Sequence, residues 1–139
     1  MSKITKAQFN ALIAEEIPWA AESGIKAVRF ARGRAVVRQP FGATMLRPGG
    51  TISGPAMMAL ADLTMYATLL SAIGTVKLAV TTSFNVNFLR RPYPGALVAD
   101  GRVIKLGKRL AVMEVTIMSE GHADPVAHAT GTYSIPPSP

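Results

Sequence analysis

The chain has no cysteine and only two histidines, His122 and His128. That excludes disulfides and thiolate-held metals, and it leaves no metal centre that is not built mainly from carboxylates. No charged stretch followed by an apolar run opens the sequence, so there is no sign of a secretory leader and the expected compartment is the cytoplasm. Acidic residues are few, 8 against 15 basic, for a formal net charge of +7. What is missing is the clustered basic stripe, interleaved with aromatics, that a nucleic-acid binder carries. Aromatics make up 6% of the chain, and the cations are scattered from Lys3 and Lys6 through Lys26, Arg29, Arg32, Arg34, Arg38 and Arg47 to the later group Arg90, Arg91, Lys105, Lys108 and Arg109. No nucleic-acid partner is expected; the later cations suit a small polyanion, or simply a solvated surface. With 139 residues, 49% of them apolar, the chain can bury one core and is too short for two comfortable ones, so a single domain over 1–139 is expected.

Periodicity supplies the elements. Residues 6 to 17 put Phe9, Leu12, Ile13 and Ile17 on one helical face, with Pro18 as the stop, which gives an amphipathic helix within an N-terminal flank over 1–20. From Ile25 to Phe41 the apolar positions alternate around a turn at Gly33, the pattern of two antiparallel strands. A loop rich in glycine and proline follows, Gly42 to Gly54. Beyond it come a long helix, Pro55–Ile73, and four strands, Thr81–Leu89, Ala96–Leu106, Leu110–Met118 and Pro125–Ile135. The tail, 136–139, reads as disordered.

The long helix is apolar on every side except for Asp62 and a few hydroxyls. A helix of that kind is buried all round. Gly54 is placed as its N-cap, Pro55 at the first helical position and Gly74 at the left-handed stop. Its length nearly suits a membrane span, but a carboxylate at mid-span costs roughly 2.5 to 3.5 kcal/mol, and a lone helix among strands has no reason to leave the core. No membrane partner is expected. One curved antiparallel sheet wrapped around the helix is the α+β solution, and a second copy would close the helix face that a single sheet leaves open.

A carboxylate flanked at helical spacing by Met58, Ala59, Met65 and Tyr66 is expected to be desolvated, which strengthens it as a base. The plainer alternative is a buried aspartate bonded to Thr81, Thr82 or Thr64. Met57, Met58, Met65 and Tyr66 are candidates for an acyl or aryl pocket, although methionine at helical spacing is commonly plain core. His128 reads as a packed or hydrogen-bonded histidine and His122 as a turn residue.

Several short motifs follow one another along the chain: Ser53-Gly54-Pro55 with Leu60-Ala61-Asp62 following, Phe88-Leu89-Arg90-Arg91-Pro92, the turn Gly107-Lys108-Arg109, and the final strand Val126-Ala127-His128-Ala129-Thr130-Gly131-Thr132-Tyr133. In this order and spacing they resemble the PaaI-type hotdog thioesterases. The resemblance runs from about Arg47 to Tyr133. It implies a hotdog fold and an acyl-CoA thioesterase that needs no cofactor or metal beyond the coenzyme A of its substrate. In such a protein Asp62 would be nucleophile or general base, the Gly54 N–H would polarise the thioester oxygen, and Thr81 would orient water or the aspartate. The resemblance also implies a homodimer, pairing further into a tetramer, in which helix-start donor and aspartate come from different subunits. Arg90, Arg91, Lys108 and Arg109 are candidates for the coenzyme A phosphates, because guanidinium and ammonium groups pair with phosphate.

Three departures stand out: Ser53 where the family usually has histidine, Pro55 in place of the second glycine, and Arg47 where an asparagine is common. Serine can donate a hydrogen bond but carries no positive charge. Proline removes one N–H from the helix start. These changes leave a non-catalytic acyl-CoA-binding protein as the rival reading. A hydratase of the same fold would need a histidine near the helix start, and neither His122 nor His128 is placed to supply one.

Overall fold

The computed structural model describes residues 1–138. Two helices, α1 (Lys6–Glu16) and α2 (Pro18–Glu22), lead into the hairpin β1 (Lys26–Ala31) and β2 (Arg34–Gln39). A 3-10 turn at Ala43–Met45 precedes the long helix α3 (Gly54–Ile73), and β3 (Val80–Phe88), β4 (Leu97–Leu106), β5 (Leu110–Ser119) and β6 (Pro125–Ser134) complete the chain. Thr5 caps α1 in a reciprocal box with Gln8. Pro18 stops α1 as expected, after the C-cap Ile17, and itself occupies the first turn of the short second helix α2, where its missing N–H costs nothing.

The six strands form one antiparallel sheet in the order β1-β2-β4-β5-β6-β3. Helix α3 touches all six strands, which a straight helix can do only if the sheet bends around it. Two glycines allow that approach. A Cβ at Gly101 would fall inside the envelope of Thr68 Oγ1 and 3.0 Å from Thr64 Cγ2, and one at Gly131 would lie 2.5 Å from Met65 Sδ. The hydroxyls on the buried side of α3 are satisfied within the helix: Thr64 donates to the Leu60 carbonyl, Thr68 to Thr64 and Ser71 to Thr68. Ser71 Oγ also accepts the Gly33 N–H, which ties the β1–β2 turn to the helix.

Differences from the sequence reading are local. The N-cap of α3 is Ser53, one residue before the expected Gly54, and its hydroxyl accepts the Ala56 N–H at 3.1 Å. Gly74 has the positive φ expected of a helix stop, +85°, but with extended ψ rather than a left-handed turn. Burial of α3 is not complete: Met58 is 39% exposed, and Ala59, Asp62 and Tyr66 are half-buried along the face that no strand covers. The alternation expected over Thr81–Leu89, with Thr82, Phe84, Val86 and Phe88 on one face, is muted as well: Phe84 and Val86 are half-buried but Thr82 and Phe88 exposed. The position of β3 at the sheet edge, with a register shift between Thr81 and Ser83, explains that. In the tail, Pro136 to Ser138 adopt no regular structure and Pro139 lies outside the described residues.

Candidate active site

Asp62 lies midway along α3, and the sheet brings two hydroxyls to it. Thr81 in β3 and Tyr133 in β6 are direct cross-strand partners, so their side chains leave the sheet on one face. Thr81 Oγ1 donates to Asp62 Oδ1 at 2.6 Å, and Tyr133 Oη reaches the same oxygen at 2.8 Å and the Asp62 backbone carbonyl at 2.9 Å. Oδ2 receives no hydrogen bond from the described residues. Burial, reinforced by the charge of Asp62, pushes the Tyr133 hydroxyl far above the ordinary tyrosine range, so it remains a neutral donor. The other two hydroxyls weighed as partners of Asp62 are used elsewhere, Thr64 on Leu60 and Thr82 on the Thr132 carbonyl.

Asp62 faces a hollow of about 520 Å³, bounded by Leu12, Ile17 and Trp19 of the N-terminal flank, Leu63 and Tyr66 of α3, and the Leu78–Thr81 stretch. Tyr66 donates to the Lys77 carbonyl at 3.3 Å and stacks near Tyr133, ring centroids 6.3 Å apart. Burial, with Glu16 nearby, raises the Tyr66 hydroxyl above its usual range. At the rim, Lys77 and Glu16 form an ion pair of 2.5 Å. In the single chain Asp62 is only half-buried, so the enclosure expected from its apolar neighbours is incomplete.

The helix start forms a second hollow, about 430 Å³, lined by Arg47, Gly54, Met57, Phe88, Leu89, Arg90 and Arg91 among others. The Ser53 hydroxyl is engaged by the Ala56 N–H, the Met57 N–H reaches the Ser53 carbonyl at 3.3 Å, and Pro55 has no N–H. Gly54 therefore carries the N–H of this first turn that has no partner among the described residues, and it points a positive helix end at the hollow. Gly54 and Asp62 are eight residues apart, roughly 12 Å along the helix axis, and line different hollows.

The remaining candidates divide. Arg90 and Arg91 stand at the helix-start hollow, although Arg90 already donates to the Pro125 carbonyl and lies 3.9 Å from Asp124. Lys108 and Arg109 are exposed in the β4–β5 turn and line neither hollow. Met65 is fully buried against Gly131 and belongs to the core, and Met58 faces outward beside neither hollow. His128 pairs with Glu114 at 3.2 Å, and His122 stacks on Tyr93. Among the described residues no group of three His, Asp or Glu side chains could hold a metal ion.

Two contributors escaped the sequence reading. Tyr133 figured there only as part of a strand pattern; its register opposite Thr81 is the signal that points it at Asp62. Trp19 had no role in the sequence reading beyond falling within the flank over 1–20, yet it walls the Asp62 hollow.

Residues 49–126 match the sequence pattern of the thioesterase superfamily. The fold is similar to that of a candidate thioesterase from Silicibacter sp. TM1040, 40% identical, covering 99% of this chain and 95% of that one with a TM-score of 0.89. It is also similar to the E. coli PaaI protein of the phenylacetic acid degradation operon, 25% identical over 93% of this chain and 91% of that one, TM-score 0.81. A candidate esterase of Saccharolobus solfataricus is 30% identical over 66% of this chain, which spans 64% of that relative's length. With its six-stranded sheet around one apolar helix, the chain belongs to the thioesterase superfamily and has the hotdog fold.

Proposed function

We propose that the protein hydrolyses an acyl-CoA thioester as a homo-oligomer, with Asp62 as the reactive carboxylate and the Gly54 N–H of a neighbouring subunit as the oxyanion donor. The observation that carries this reading is the convergence of Thr81 and Tyr133 on one oxygen of Asp62. With Oδ1 held, Oδ2 is free either to attack the thioester carbon or to take a proton from water. In both routes the C–S bond breaks, coenzyme A leaves as its thiol after protonation, and the acyl carbon gains an oxygen that comes ultimately from water. A helix-start N–H aimed at the developing oxyanion is typically worth about 2.7 to 4 kcal/mol.

The subunit assignment follows from distance. One chain holds its own Gly54 and Asp62 too far apart to serve one thioester, while β3 ends the sheet as an unpaired nine-residue edge with Val80, Phe88 and Leu89 exposed. Antiparallel pairing of β3 with a two-fold copy would set the Phe88 end of one chain beside the Val80 end of the other. That brings a helix start to a neighbouring Asp62, and Arg90 and Arg91 to the same end as the partner chain's β4–β5 turn with its two cations. Further pairing into a tetramer and a cytoplasmic location remain part of this proposal.

Release of free thiol from short, medium, long and aromatic acyl-CoA esters, measured beside Asp62→Asn, tests the proposal. Loss of about 10² to 10⁴ in turnover with an unchanged fold is expected for removal of a general base. Near wild-type turnover in that variant would make Asp62 structural. A second reading, binding without cleavage, draws on Ser53, whose hydroxyl caps the helix instead of facing substrate with a charge. It predicts thermal stabilisation by the same esters with no thiol released.

A further inference from the structure

We propose that Trp19 sets the length of the acyl group, which is apolar and uncharged. This rests on the thioesterase reading above and concerns the hollow at Asp62. A smaller hollow of about 280 Å³ lies beside it, with Glu22, Ser23, Gln39 and Thr44 as its polar walls and Ala56 and Ala59 as its apolar lining; its one charge is again a carboxylate, that of Glu22. Among the described residues Trp19 alone lines both. Ala56, Ala59, Leu63 and Tyr66 recur at the spacing that places them on one stripe of α3. The stripe therefore runs as one floor beneath both hollows, with small residues under the second and Trp19 as the partition between them.

The charges define the chemical class. Glu16 and Lys77 neutralise each other at the rim, so the remaining charge in the Asp62 hollow is Asp62 itself. A carboxylated acyl group would meet no free cation there and would be repelled by Asp62. An apolar chain meets Leu12, Ile17, Leu63 and Leu78 instead, and ends at the indole. Without the indole the chain gains one helical turn of floor, from Leu63 back to Ala59, about 5 Å or roughly four methylenes.

The test compares kcat/KM for butanoyl-, hexanoyl-, octanoyl-, dodecanoyl- and glutaryl-CoA in the wild type, Trp19→Ala and Trp19→Phe, with dissociation constants for the same esters measured by calorimetry on Asp62→Asn protein with and without Trp19→Ala. The dodecanoyl-to-hexanoyl ratio should rise by about tenfold or more in Trp19→Ala, the scale on which pocket size discriminates chain length, and Trp19→Phe should fall between. Glutaryl-CoA should be the poorest substrate throughout. A ratio within about twofold of wild type in a folded Trp19→Ala protein, or a preference for glutaryl-CoA, overturns the proposal. If the wild type cleaves none of these esters the thioesterase reading fails, and the calorimetric ratio still decides for or against Trp19.

Discussion

Both hydroxyls that reach Asp62 land on Oδ1, and this asymmetry makes the two oxygens of one carboxylate different reagents. Each donor fixes the plane of the carboxylate and so the direction in which Oδ2 is presented. Tyr133→Phe should therefore lower kcat with KM little changed, whereas a purely structural tyrosine would lower the urea midpoint alone; Thr81→Val should act in the same direction. The tyrosine has its own linkage. Its hydroxyl binds a proton more tightly folded than unfolded, so its contribution to stability is fully present below about pH 10, the value of a free tyrosine, and is lost as pH rises above it. Urea midpoints measured between pH 8 and pH 11 should fall less steeply in Tyr133→Phe than in the wild type.

At the scale of elements, the fold depends on how closely α3 can lie against β4 and β6. Gly101→Ala places a methyl against Thr68 and Thr64, in a helix whose hydroxyls are already committed to its own carbonyls. Overpacking of this kind costs about 1 to 3 kcal/mol, readable as a lower urea midpoint, while the Asp62 site on another face of the helix should keep its hydrogen bonds. Elements of this type were legible in the sequence because each carries its own period: α3 by continuous apolarity between a proline and a glycine, β1 and β2 by alternation around the turn at Gly33. Boundaries shifted where chemistry is shared between neighbours. Ser53 and Gly54 are both acceptable caps, and only the hydroxyl's bond to Ala56 decides between them. The Asp62–Thr81 pair followed from the family resemblance, but Tyr133 did not, because which strands pair and in what register is a property of the whole sheet. Met65 looked like a pocket residue because helical spacing gives a face and not what covers it; Gly131 leaves the space that it fills.

The whole molecule poses the question of where one active site ends and the next begins. On the proposed reading a single chain carries half of a site near each end of β3: a carboxylate with two donors near Val80, and near Phe88 a helix-start N–H that has no partner among the described residues. If two chains share each site, two inactive variants can repair one another. Gly54→Pro removes the donor next to an extended Ser53 (φ −79°, ψ 153°), as proline requires of its predecessor, but its ring must fit beside the exposed Phe88 and before Pro55, so the variant counts only if its helix content matches the wild type by circular dichroism. Asp62→Asn removes the carboxylate. Refolded together in equal amounts, they should form hybrid dimers in which one site holds both intact groups and the other holds neither. With random pairing, half of the dimers are hybrids with one working site of two, so about one quarter of the wild-type rate should return. A site built within one chain would return nothing on mixing, and the β3 edge would then owe its exposed Phe88 and Leu89 to some other contact.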